Sequence, residues 1–247
     1  MRYLDLLEMR AIAYKYASKL VDYPYDEDIE KMRDMLADFV AVLSRLEQLE
    51  AKYNGVAEAA SEAAAMLLSE LNKLGRDEFQ AEYVSTFELG SPKPLCPPYE
   101  NEYVEPGELK ESKVFIDALN TTSPQFMDVK HGLDVLATVS IFYETYGVQV
   151  SQTTPDHLVV ELEFMYYLTA KEYEALKNEK QKDARMYRKA QAEFIENHLS
   201  LWLERLANCI REKGSLKGYG ELISSINVFT TKDYDVIKKY MDATSYK

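Results

Sequence analysis

His157 and Glu161 set an imidazole one helical turn from a carboxylate, and Asp128 and His131 offer a similar pairing at i, i+3. Either pair could ligate one metal ion. A di-iron carboxylate bundle, however, needs two Glu-x-x-His pairs with two further inward-facing glutamates. This chain has three histidines and no Glu-x-x-His, and the zinc-hydrolase pattern His-Glu-x-x-His is absent. Nucleophilic catalysis has no G-x-S-x-G elbow, and neither Cys96 nor Cys209 lies near a histidine in sequence. No P-loop or G-x-G-x-x-G is present, and the glycine-rich stretch 214–220 follows a helical pattern and reads as a turn. No motif for a nucleophile or a bound nucleotide is therefore found, and no metal is expected. For His157 the reading is a structural pin, hydrogen-bonded to Glu161 or to a loop.

The elements that must position these groups follow from the local pattern. Thr154 suits an N-cap, Pro155 the first helical position, and Asp156 the positive end of a helix running to about residue 178. Leu158, Leu162 and Met165 then form an apolar stripe, with His157, Glu161, Phe164 and Leu168 in a mixed row beside it. Upstream, residues 90–107 lack helical pattern and hold five of the eight prolines. A loop of this length in a compact chain is functional or a linker. Its core, Leu95-Cys96-Pro97-Pro98-Tyr99-Glu100-Asn101-Glu102-Tyr103, is apolar and aromatic, unlike a Gly/Ser linker. It should pack against something, either as a cover on the core or facing a ligand.

Around these two blocks the chain reads as helices: 2–21, 27–53, 56–74, 76–89, 108–119, 129–146, an amphipathic 179–209, and two short helices at 216–229 and 232–241. In the first, Leu4, Leu7, Ile12, Tyr16 and Leu20 fall near helical spacing. No convincing strand is found. The fold expected is all-α, a single globular multi-helix bundle of about ten helices over 1–247, with Asn120 to Pro124 as a candidate subdomain boundary and hinge. That hinge leaves a monomer and a domain-swapped dimer both open.

Composition narrows the function classes. Of 247 residues, 47% are hydrophobic and 29% charged, and the apolar runs are too short for a bilayer span. A net charge of −13 argues against nucleic acid and against an anionic membrane surface, while suiting a cationic partner. No basic-then-apolar leader opens the chain, so a cytoplasmic location is expected. Cys96 and Cys209 lie far apart, without a CxxC or ligand spacing, which suits a reducing compartment and two free thiols, with a disulfide between them as the alternative.

Three blocks carry a resemblance. The Tyr83-to-Phe87 helix end leads through the loop into Pro97-Pro98-Tyr99-Glu100-Asn101-Glu102-Tyr103; Pro155-Asp156-His157-Leu158 follows with Glu161, Leu162, Phe164 and Met165; then comes Phe194-x-x-x-His198-Leu199-x-x-Trp202. In order and spacing the chain resembles the TorD/DmsD family of redox-enzyme maturation chaperones, related to the nitrate reductase delta subunit. Thr86 and Asn101 stand where that family more often has leucine and serine. The resemblance implies a cytoplasmic chaperone, not an enzyme and with no cofactor of its own, that binds the twin-arginine leader, the apo catalytic subunit, or both, of a molybdopterin-dependent oxidoreductase and assists cofactor insertion before export. A delta-type assembly subunit retained in a membrane-associated reductase is the alternative, and a helical metal- or nucleotide-binding enzyme the remoter one. A basic-then-apolar leader calls for acidic groups beside an apolar groove. Glu100, Glu102 and Asp156 are expected to face the arginines; Tyr83, Phe87, Pro97, Pro98, Tyr99 and Phe164 the apolar segment; Tyr103, Pro155, His157 and Glu161 complete the candidate site.

Overall fold

In a computed structural model, residues 2–105, 107–109, 134–150 and 154–242 are described. The elements are α1 (Arg2–Leu20), α2 (Asp26–Leu49), α3 (Val56–Leu74), α4 (Arg76–Phe87), α5 (Val135–Thr145), α6 (Leu158–Lys177), α7 (Gln181–Phe194), a π-helical turn (Ile195–Leu199), α8 (Ser200–Lys213) and α9 (Lys217–Asp242). One buried apolar cluster draws side chains from every one of these α-helices. No strand occurs among the described residues; Tyr99 and His157 form an isolated antiparallel bridge. The fold is all-α, as the periodicity indicates. Residues 110–133, which include the expected hinge, the Asp128/His131 pair and most of the 108–119 helix, lie outside the described residues.

Local sequence explains most boundaries. In α2, Met32, Leu36, Phe39, Leu43 and Leu46 recur at i, i+4, i+7 and bury one face, while Asp26, Glu27 and Asp28 sit on the positive end of the helix. Gly75 stops α3 and starts α4 at φ +77°, a conformation in which an L side chain is strained. At the α9–α3 crossing, a Cβ on Gly218 would lie 2.6 Å from Leu67 Cα, so only glycine lets the two backbones approach this closely. The remaining helices wrap around these: α1 packs on α6 and α2, α6 on α7, and α9 on α3 and α8.

Two helical assignments are corrected. The final stretch is one continuous helix, Lys217–Asp242, because Thr230-Thr231 carries neither glycine nor proline to stop it. In α1 the buried face runs through Tyr3, Leu6, Leu7, Arg10, Tyr14 and Ala17, so Leu4, Ile12 and Tyr16 are only half-buried. The reason is a buried polar network that hydropathy cannot show. Arg10 Nε and Nη2 donate to the two Asp233 carboxylate oxygens at 2.5 and 2.9 Å, and Tyr14 and Tyr53 hydroxyls donate to the same group at 2.8 and 2.5 Å. Gln191 links this unit to Glu172, which also accepts from Tyr3 and Arg188. All of these groups are buried, and the two arginines balance the two carboxylates. Each charge thus keeps a partner in a region where an unpaired one would be very costly.

Candidate functional site

The proline-rich loop and the start of α6 are joined by their backbones. Glu100 N–H donates to the Asp156 carbonyl, Leu158 N–H to the Pro98 carbonyl, both at 3.0 Å, and Asn101 N–H to Asp156 Oδ2 at 3.2 Å. These bonds correct the expected helix start. The helix opens at Leu158 rather than Pro155, because the groups at 155–158 that would begin it are engaged with the loop. His157, extended at φ −75° and ψ 136°, is the N-cap: its Nδ1 accepts from Val159 N–H at 3.2 Å. Thr154 is not the cap, and of the two partners expected for His157, Glu161 or the loop, the Glu161 side-chain bond gives way to this capping bond while the bridge to Tyr99 joins it to the loop. Burial holds the His157 pKa down, with Asp22 acting in the opposite direction.

Behind this seam lies a buried polar cluster. His198, carried by the π-helical turn, places Nδ1 3.0 and 3.1 Å from the Glu100 carboxylate oxygens. Trp202 Nε1 donates to Glu161 Oε2 at 3.1 Å, and Tyr103 stacks on Trp202 with ring centroids 5.9 Å apart. Glu161 is fully buried, and burial first, then the neighbouring Glu100 charge, push its pKa well up; its protonated form can donate to Glu100. Asp156 is also buried, its pKa raised by burial against the lowering pull of the Asn101 amide. A π turn inserts an extra residue per turn and so re-aims side chains, here turning His198 inward between Phe142 and Phe194. His198 and Trp202 act in this cluster although the expected site omits them; their i, i+4 spacing is visible in the sequence, but their partners 98 and 41 residues away are not.

The expected binding residues therefore divide. Tyr83, Phe87, Pro97, Pro98, Glu100, Asp156 and Glu161 are buried, so the arrangement that exposes Glu100 and Asp156 to arginines is corrected: they hold the loop to α6 and to the π turn. Tyr83 donates to the Val21 carbonyl at 2.9 Å and packs with Phe87 on Tyr219. Pro155 gives its carbonyl to the Tyr143 hydroxyl, and Glu102 is exposed and paired with Lys93. His157 and Phe164 alone among them line a cleft of about 810 Å³. Tyr99, half-buried, packs edge-on against His157 at the margin of that cleft.

The cleft has its own acidic groups. Asp22, Glu88 and Glu163 line it, with Val148, Val150, Val159 and Val160 as an aliphatic wall and Tyr25, Tyr143, Phe164 and Tyr167 as aromatic surface. Among the described residues, no lysine or arginine lines it. Burial, then Asp22, raises the Glu88 pKa, which marks like charges facing each other. Among the described residues, no group of three or more His, Cys, Asp or Glu is arranged to hold a metal.

A further departure concerns the cysteines. Cys96 in the loop and Cys209 on α8 form a disulfide with Cα atoms 5.9 Å apart, so the expectation of two free thiols is corrected. The 113-residue separation hides a contact made only when the loop folds back onto α8.

These blocks all fall within a segment that matches a known family. The profile of the nitrate reductase delta subunit matches residues 49–208. The chain belongs to that family. It is 28% identical over 174 residues to a selenate reductase assembly chaperone protein of Thauera selenatis, covering 66% of this chain and 77% of that relative. It is 31% identical over 134 residues to a chlorate reductase assembly chaperone protein of Ideonella dechloratans, covering 53% and 56%. With a perchlorate reductase assembly chaperone protein of Dechloromonas aromatica (strain RCB) the identity is 26% over 174 residues, covering 68% and 60%. No solved structure gives a significant match. The recognition of a redox-enzyme maturation chaperone from the three blocks thus agrees with the family and with relatives named for reductase assembly rather than for catalysis. No helix among the described residues is long and apolar enough to cross a membrane.

Proposed function

We propose that this member of the delta subunit family is a cytoplasmic assembly chaperone for the catalytic subunit of a molybdopterin-dependent oxidoreductase. It holds the precursor, by its twin-arginine leader or by the unfinished subunit, until the cofactor is inserted before export. The observation that carries this reading is the cleft: three carboxylates and, among the described residues, no cation beside an aliphatic and aromatic wall, at the mouth of α6 where the recognised motif lies. A segment that is basic and then apolar satisfies both halves. Its arginines neutralise Asp22, Glu88 and Glu163, and its apolar residues cover Val148, Val150, Val159, Val160 and Phe164. The relatives' role in reductase assembly supports the same class of partner. The family's name keeps one alternative alive, a delta-type subunit retained in the mature reductase.

The test is binding of a labelled peptide with two arginines followed by an apolar stretch, measured by fluorescence anisotropy at rising salt. Affinity should fall with ionic strength. The triple variant Asp22→Asn, Glu88→Gln, Glu163→Gln should weaken it by about tenfold, on the order of 1.4 kcal/mol for three rim charges. Equal affinity in both proteins with no salt response would reject the cleft as the seat. Recovery of an uncleaved precursor on affinity purification supports the chaperone, whereas stable recovery of only mature, cofactor-loaded enzyme supports the retained subunit.

A further inference from the structure

The disulfide lies within a strap whose two ends both meet the cleft. Glu88 at the end of α4 lines the cleft directly, and Tyr99 meets it through its bridge to His157. Between them the chain runs outward, leaving Leu89 69% and Leu95 45% exposed, and returns to the body at Cys96. There, Cys96 N–H donates to the Thr86 carbonyl at 2.8 Å, and its sulfur is bonded to Cys209 on α8. The covalent bond fixes the strap near its Tyr99 end, and the Cys96–Thr86 hydrogen bond ties the same point to α4, so together they constrain where Glu88 and Tyr99 stand beside the cleft.

The two sulfurs differ in access. Cys96 is fully buried, while Cys209 is half-buried on the side of the exposed Leu95. Disulfides in a reducing compartment are usually transient or redox-sensing rather than structural scaffolds. With the cytoplasmic role proposed above, on which this inference rests, a permanent scaffold bond is the less fitting account. We propose that Cys96–Cys209 is a redox latch on the strap: formed, it preorganises the cleft for its basic-apolar partner; reduced by a dithiol, it loosens the strap and lowers affinity. In the reductive step a thiolate of the dithiol attacks Cys209 Sγ. The S–S electron pair leaves on Cys96 Sγ, which takes up a proton. The reductant's second thiol loses its proton and attacks the mixed disulfide, freeing Cys209 as a thiolate that is then protonated and leaving the reductant as a disulfide. Because Cys96 leaves as a thiolate into a buried site, reduction requires the strap to lift from α8. A partner seated against Glu88 and His157 opposes that lifting, so reduction and binding are reciprocally coupled.

The experiment uses the full chain in oxidised and dithiothreitol-reduced forms, with thiol titration to confirm each state. Hydrogen exchange is expected to rise on reduction at the Cys96, Glu100 and Leu158 amides and to stay unchanged around Arg10 and Asp233. The same twin-arginine peptide should bind the reduced form about fivefold more weakly, at the low end of common coupling effects. The double variant Cys96→Ser, Cys209→Ser should bind like the reduced form with or without dithiothreitol. Failure of the thiols to join under mild oxidation overturns the latch, as does unchanged strap exchange or equal peptide affinity in the two states. Should the strap loosen on reduction while the peptide binds neither form, the leader-binding reading fails and the redox-dependent strap stands, without its proposed partner.

Discussion

Replacing Glu161 with glutamine tests the interior of the site without removing its hydrogen bonds. In the native chain Glu161 accepts from Trp202 Nε1 at 3.1 Å, is fully buried, and has a folded-state pKa raised by burial and by Glu100. Glutamine keeps a carbonyl for Trp202 and an N–H for Glu100 but cannot ionise. A carboxyl whose pKa is raised on folding contributes stability that is full below the unfolded pKa and is lost as pH rises through the folded value. Between those limits the folded state holds one more proton than the unfolded state. The stability of Glu161→Gln relative to wild type should therefore climb by up to about 1.4 kcal/mol per pH unit, starting near pH 4.3. Groups common to both proteins cancel in that difference. Urea unfolding at a series of pH values gives the quantity directly. Trp202 is the chain's single tryptophan and sits on the carboxyl in question, so its emission reports both unfolding and the ionisation. Parallel stability curves for the two proteins from about pH 5 to pH 8 would refute the account of Glu161 as a protonated buried group.

Two further perturbations probe what holds the site in place. Asp233→Ala strands Arg10 and removes the acceptor of Tyr14 and Tyr53, so it should cost at least about 3–5 kcal/mol in denaturant unfolding, with Arg10→Met, Asp233→Leu recovering much of the loss; a single-variant cost below about 1 kcal/mol would contradict the network. His157→Ala should lose the α6 cap and lower stability by about 1 kcal/mol, while His157→Asn retains most of it, as thermal unfolding would show. The His157 contribution is present above its unfolded pKa and lost as pH falls through the depressed folded value, so the native advantage over His157→Ala should shrink under mildly acidic conditions.

The sequence by itself determined the helical class, most helix positions and the three blocks that carry the family resemblance, because periodicity, glycine stops and short motifs are local properties. The stripe Leu158, Leu162 and Met165 is buried as read. Tertiary structure decided which polar groups are inside. Glu100, in the apolar and aromatic loop, and Asp156, at the expected helix start, read as ligand-facing acids, yet His198, 98 residues from Glu100, and the Asn101 amide take them into the interior. Arg10 enters the core only because Asp233 meets it across 223 residues. Cys96 finds Cys209 by the same folding back of the chain, and Asp22, Glu88 and Glu163, unremarkable in three separate segments, become the acidic lining of one cleft. The physical reason is common to all of these. Burying a charge is unfavourable until a partner compensates it, and a partner distant in sequence becomes a neighbour only when the helices pack.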